Sequence, residues 1–189
     1  MNMRKFYILI LAVLSVVNSV QAKNRYGNKK YNVAVQITNP LSAQSKIGGF
    51  VEGRVNRTSF VVGYTDYIGA YAGNQEKLEF LHYFKTPFKN EWFWYAKVLH
   101  GDAAYDSKKL TTIQDNSNVQ FSSINYNGFG AGFGRRLNLH HFNITINLGV
   151  KYCNFSDDID DPNRKYYNLF FATGPGSYVD FNFRFGYQF

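Results

Sequence analysis

The sequence predicts an all-β protein, an eight-stranded antiparallel up-and-down transmembrane β-barrel, on three observations. Aromatic residues make up 19% of the chain, yet past residue 22 no apolar run is longer than a few residues. Hydrophobicity dispersed in this way belongs to strands with one apolar face. The final segment shows the alternation most plainly: Val179, Phe181, Phe183, Phe185, Tyr187 and Phe189 interleave with Tyr178, Asp180, Asn182, Arg184, Gly186 and Gln188. Successive strand side chains point to opposite faces, so one face is wholly apolar and the other mostly polar. The third observation is that short and long connections alternate along the chain, as they do between the two ends of a membrane barrel.

The first 22 residues stand apart. Arg4 and Lys5 precede an apolar run from Phe6 to Val17, and the small-residue pattern Val20-Gln21-Ala22 follows. This is the layout of a secretory signal peptide, cleaved after Ala22. The run is far shorter than the roughly 20 residues of a membrane-crossing helix. Removing residues 1–22 from the 189 leaves 167, one domain over 23–189, and lowers the net charge from +8 to +6. The basic residues are scattered, so nucleic acid is not an expected partner. The single cysteine, Cys153, precludes an intramolecular disulfide and reads as a small buried side chain.

Eight strands follow in order. Tyr31 to Thr38 places Tyr31, Val33, Val35 and Ile37 on one face; Lys46 to Val55 and Thr58 to Tyr67 come next. Glu76 to Thr86 sets Leu78, Phe80 and Phe84 against Lys77, Glu79 and Lys85. Trp92 to His100 has aromatics on both faces, so its phase stays open. In Val119 to Gly134, Phe129, Ala131 and Phe133 interleave with Gly128, Gly130, Gly132 and Gly134, an inner face emptied of side chains to relieve crowding in a narrow barrel. A register break is expected near Asn125, where the apolar phase shifts. Phe142 to Cys153 alternates over twelve residues, and Val179 to Phe189 closes the set. Short connections fall at Asn56-Arg57, Pro87 to Glu91 and Arg135 to His140. Longer ones fall at Asn39 to Ser45, Ile68 to Gln75, Gly101 to Asn118 and Ser156 to Ser177. The long loops are expected outside the cell, and the short turns and both termini in the periplasm.

These phases put Glu52, Arg54, Glu79, Lys85, Lys97, Lys151, Asp180 and Arg184 on inward faces. An eight-stranded barrel has an interior just wide enough for side chains to fill, so a paired polar plug is expected in preference to a conducting pore. Asp157, Asp158, Asp160 and Asp161 cluster in the last long loop. They lack the alternating ligands and central glycine of a calcium loop, and they read as a solvated acidic segment. No metal or cofactor is expected. The same loop carries Tyr166, Tyr167, Leu169, Phe170 and Phe171 ahead of Gly174-Pro175-Gly176, an apolar group suited to packing over the barrel mouth or meeting a partner.

With these strands placed, the chain resembles the small outer-membrane barrels of the OmpA, OmpX and OmpW type over its whole mature length. The most specific match is the terminal series Phe181, Phe183, Phe185, Tyr187 and Phe189. The resemblance implies that the barrel-assembly machinery of a Gram-negative bacterium reads this strand as its assembly signal. It also implies outer-membrane lipid and lipopolysaccharide as surroundings, and leaves room for an envelope protein partner.

Some eight-stranded barrels remodel lipid A with a Ser nucleophile and a His base. The nearest arrangement here is His100 and Asp102 on one strand with Ser122 or Ser123 on the next, a pairing that follows from adjacency alone. His140-His141 lies in a short turn, where adjacent imidazoles face solvent. The expectation is therefore a barrel without enzymatic activity, with a structural, adhesive or accessory role. The alternatives are a lipid A-modifying enzyme and a soluble periplasmic ligand-binding barrel, the latter requiring apolar residues inside.

Overall fold

The computed structural model describes residues 29–37, 45–68, 71–84, 91–106, 120–155, 170–172 and 174–188. Eight strands run in sequence: β1 (Lys29–Ile37), β2 (Ser45–Val55), β3 (Thr58–Ile68), β4 (Tyr71–Tyr83), β5 (Glu91–Asp106), β6 (Gln120–Leu139), β7 (Phe142–Phe155) and β8 (Val179–Gln188). Each pairs antiparallel with its sequence neighbours, and β1 pairs with β8 to close the barrel. Closure pairs the two strands that would otherwise be the sheet's edges. The β1–β8 seam matches five residues of each strand, Asn32 to Gln36 against Gln188 to Arg184.

The turn end is tight. Val55 pairs with Thr58 across Asn56-Arg57, and Leu139 pairs with Phe142 across His140-His141. Asn56 and His140 take left-handed backbone angles, with φ of 55° and 59°, a region in which Asn and His are enriched among non-glycine residues. The turn at His140-His141 is shorter than the Arg135 to His140 connection expected from sequence. β6 continues to Leu139 because its partner β7 offers a matching apolar and polar alternation down to Phe142.

At the loop end the connection expected over Ile68 to Gln75 is also overturned, since β3 extends to Ile68 and β4 begins at Tyr71. Gly73-Asn74-Gln75 reads locally as loop, yet β5 supplies the whole ladder, from Tyr71 opposite Tyr105 onward. Tertiary pairing overrides the weak strand propensity of these residues. Gly73 sits at φ 119°, and a Cβ there would strike the Asp102 carbonyl oxygen.

The phase of β5 is resolved. Glu91, Phe93, Tyr95, Lys97 and Leu99 face inward; Trp92, Trp94, Val98 and His100 face outward. The register break lies between β5 and β6, where Ala103 opposes Ile124 but Tyr105 opposes Phe121, just before Asn125. From there Ile124 and Tyr126 point inward, followed by Gly128, Gly130, Gly132 and Gly134. The glycines leave room for the large inward residues of β5. A Cβ on Gly132 would overlap the Leu148 carbonyl oxygen and lie 2.8 Å from Tyr95 Cε1. Gly132→Ala is therefore expected to cost about 1–3 kcal/mol, the usual range for overpacking, in an unfolding titration.

Two apolar layers line the lumen. Phe50, Val61, Leu81, Tyr83, Phe93 and Tyr95 form one; Leu99, Ala103, Tyr126, Cys153 and Phe170 form the other, nearer the loop end. Charged residues fill the space around and between them.

Candidate functional site

The lumen is the candidate site, and its charges sort by height. At the turn end, the Arg54 guanidinium donates two parallel bonds to Glu91, Nη1 to Oε2 at 2.8 Å and Nη2 to Oε1 at 3.0 Å. Arg136 makes the same fork on Glu52, at 3.1 and 2.5 Å, and its Nε donates to Thr145 Oγ1 at 3.1 Å. Paired planar forks of this kind fix geometry as well as charge. Between them lies Tyr83, whose hydroxyl donates to Glu52 Oε1 at 3.1 Å and whose ring is 3.7 Å from the Arg54 guanidinium carbon. This end holds two cations, two carboxylates and an aromatic ring, all buried.

Higher up, Glu79 takes Arg184 at 2.6 Å and Lys77 at 3.3 Å. Both cations also lie against the face of Phe50, at 4.7 and 4.3 Å from its centroid. Towards the loop end, Asp180 accepts from Lys97 Nζ at 2.6 Å, Tyr95 Oη at 2.5 Å and Asn182 Nδ2 at 3.0 Å. Lys151 donates to the Pro175 carbonyl oxygen at 2.7 Å, and Lys46 is buried at the same end.

The mouth is covered from the last loop. Phe170 is fully buried, edge-on to Tyr126 at 5.2 Å, and Gly176 N donates to the Phe170 carbonyl at 3.1 Å. A Cβ at Gly176 would collide with the Phe170 ring, so this turn closes over the aromatic only because residue 176 lacks a side chain. Tyr67 and Tyr126 share a short hydroxyl contact beneath it, and Gln75 Nε2 donates to Tyr126 Oη at 3.1 Å.

Among the inward charges named from sequence, Glu52, Arg54, Glu79, Lys97, Lys151, Asp180 and Arg184 are buried in the lumen; Lys85 lies outside the described residues. Four further lumen charges escaped that set. Glu91 and Arg136 fall in segments that read as turns, Lys77 shares the phase of Glu79, and Lys46 begins the β2 alternation two residues before Gly48. Extending the alternation into the flanking turns finds Glu91 and Arg136, while Lys77 and Lys46 already lie within the strands read from sequence, on the phases of Glu79 and Glu52. Phe181, Phe183, Phe185 and Tyr187 lie along the outward face of β8, and Phe189 is outside the described residues, as are the four clustered aspartates.

His100 faces outward, its Nδ1 2.8 Å from Asn127 Oδ1 on the neighbouring strand. The side chains of Ser122 and Ser123 are outside the described ones. His141 stacks on Tyr187 with ring centroids 5.6 Å apart. Among the described residues no group of three or more His, Cys, Asp or Glu is placed to hold a metal ion.

The closed eight-stranded antiparallel barrel and its filled polar lumen define the architecture of the small outer-membrane β-barrels. The N-terminal β-barrel domain of OprF from Pseudomonas aeruginosa has the same fold, with a TM-score of 0.51 and 15% sequence identity over 86% of this chain and 98% of that one. Neisserial surface protein A, NspA, aligns over 85% of this chain and 94% of that one with a TM-score of 0.40 and 12% identity. The outer membrane protein Ail of Yersinia pestis aligns over 87% and 100%, with a TM-score of 0.43 and 11% identity. No protein-family model and no curated protein matches the sequence.

Proposed function

We propose that this chain is an integral outer-membrane protein without enzymatic activity, in which a plugged polar lumen makes a rigid support for a structural, adhesive or accessory role at the cell surface. The observation that carries this reading is inverted polarity. The charges are inside, while Val150, Phe133 and Phe129 on the outer wall are 69%, 63% and 62% exposed. They belong to an apolar belt that continues through Phe60, Val62, Leu78, Val98 and Leu148. A soluble monomer leaves only small contiguous apolar patches in water; hydrocarbon is the solvent such a belt suits. At the turn end Trp92, Phe142 and Tyr187 lie on the outer wall, with the Arg135 guanidinium carbon 5.6 Å from the Trp92 centroid. That combination fits a membrane interface.

On this reading residues 1–22 direct export, the barrel-assembly machinery engages the final strand, and lipid and lipopolysaccharide surround the belt. An envelope protein would meet the loop end. A soluble ligand carrier would need an apolar cavity inside, where this lumen holds fork-paired charges.

Cell fractionation tests the proposal. The mature protein should remain with the outer membrane through a urea wash, dissolve only in detergent, and migrate differently on a gel before and after boiling. Recovery from the soluble periplasm without detergent would overturn it. Removing Phe189 should lower the inserted yield in cells while leaving the stability of protein refolded in detergent nearly unchanged.

A further inference from the structure

The apolar belt differs in height from one flank to another. At the turn end its outward margin is aromatic, with Phe84 just past β4, Trp92 on β5 and Phe142 on β7. At the loop end the outward series gives way to polar side chains at Glu76 on β4, His100 on β5 and Asn154 on β7. Eight residues separate Phe84 from Glu76 and Trp92 from His100, but twelve separate Phe142 from Asn154. A tilted strand climbs about 2.5 Å of height per residue, so the wall is about 20 Å tall on β4 and β5 and about 30 Å on β7. Even within the β4 wall the outward His82 interrupts the apolar series, its ring tilted against Trp94 with centroids 5.9 Å apart.

The low margin is a continuous band. Glu76 lies opposite Tyr64 on β3 and His100 on β5, and His100 Nδ1 is 2.8 Å from Asn127 Oδ1 on β6. The next outward row towards the loop end holds Asp66, Asn74 and Asp102, in register on β3, β4 and β5. Across the barrel the outward residues of β7 from Phe142 to Tyr152, and of β8 from Val179 to Tyr187, are apolar or aromatic without a break.

Given a barrel that sits in the membrane, the reading proposed above on which this one rests, we infer that the β3–β5 flank thins the outer leaflet beside it. A carboxylate on the lipid face is unfavourable, and Glu76 lacks the long stem by which Lys or Arg reaches the headgroups. Tilting or sliding the barrel moves both margins of a flank together and leaves their separation unchanged. The wall itself is held by ion pairs that cross the lumen, Lys97 to Asp180 and Arg184 to Glu79. The bilayer is the softer partner, since each ångström of mismatch costs it little. Lipid beside β3–β5 therefore settles to about 20 Å of hydrocarbon, against the roughly 25 Å band usual for such barrels, while β7 and β8 keep the full height. The partner this flank fits is a thin, loosely packed bilayer, and the barrel creates one beside itself.

The test uses the whole mature barrel in dioleoyl-phosphatidylcholine vesicles, with Cys153→Ser and one nitroxide label, attached through Leu78→Cys on β4 or Val150→Cys on β7. Counted from the turn-end aromatics, Leu78 is six residues up and Val150 eight, so a flat leaflet would cover Leu78 more deeply by about 5 Å. With thinning, Leu78 lies one outward step below its polar margin and Val150 two, and the order reverses. Relative accessibility to oxygen and to a water-soluble nickel chelate should place the label at 78 the shallower by about 5 Å. Replacing the margin, by Glu76→Leu and His100→Leu together, should let the leaflet rise and carry the label at 78 to the greater depth. A label at 78 deeper than that at 150 with Glu76 and His100 intact would overturn the inference and leave the membrane reading standing. Labels open to the chelate at both sites would overturn both, because no bilayer then covers either wall. Broadening between labels at 78 that fades as lipid is added would give the flank to a second copy of the chain, which also overturns the inference.

Discussion

Replacing Glu52 with alanine is expected to destabilise the folded barrel by about 3–5 kcal/mol, the usual cost of removing one partner from a buried ion pair. Arg136 would lose both bonds of its fork, and Glu91 is already engaged by both terminal nitrogens of Arg54. The Tyr83 hydroxyl would lose its acceptor as well. Combining Glu52→Leu with Arg136→Met should recover much of the loss, because replacing both charges by apolar groups of similar size is often neutral or better. Recovery should stop short of wild type, as the Tyr83 hydroxyl remains without its acceptor, a penalty of about 1–3 kcal/mol. Urea unfolding in detergent, followed by the fluorescence of Trp92 and Trp94, measures both variants. Equal destabilisation by the single and double replacements would place the cost in packing around Tyr83 and not in the stranded arginine.

The second large effect separates the two faces of β7. Leu148 is 56% exposed on the outer wall between Phe133 and Phe181, and Leu148→Arg should cost about 2–4 kcal/mol if that wall meets hydrocarbon. Its neighbour Asn147 faces the lumen, where its Oδ1 has no hydrogen-bond partner among the described residues. Asn147→Ser should therefore cost less than about 1 kcal/mol, in the range of one modest hydrogen bond. Asn182 is a different case. It accepts from Lys77 at 3.5 Å and donates to Asp180 at 3.0 Å, so Asn182→Ser should cost more than Asn147→Ser. Unfolding in lipid vesicles gives all three values. If arginine at 148 were tolerated as well as serine at 147, the outer wall would not be a lipid face.

The contrast between those asparagines shows what the sequence does and does not reveal. Period-two alternation assigns each to the inner face, because the pleat alone decides the side on which a residue projects. It is silent on which inner residues meet, since contacts across the lumen such as Lys97 to Asp180 join strands 83 residues apart. Strand ends were hard to read for a related reason. Arg135-Arg136 looks like a polar turn, and only the ladder to Ile146 and Thr145 makes Arg136 an inward strand residue. The phase of β5 was hidden because both of its faces are aromatic, and the four bare glycines of the neighbouring strand are what admit Phe93 and Tyr95 inside. Phe170 was recognisable as part of an apolar loop, but its descent into the mouth depends on Gly176, which permits the close approach.

The seam between the first and last strands carries a kinetic meaning. Every other junction joins strands adjacent in sequence and matches nine to fifteen residues, so each is able to zip up as a local hairpin. The seam alone brings together opposite ends of the domain, and among the described residues five matched pairs reward it. Contacts between distant parts of a chain form late, because the entropy of gathering them is lost before they contribute. The ring should therefore be an open ribbon until its last moment of assembly, and the same short junction should be the first place where it loosens.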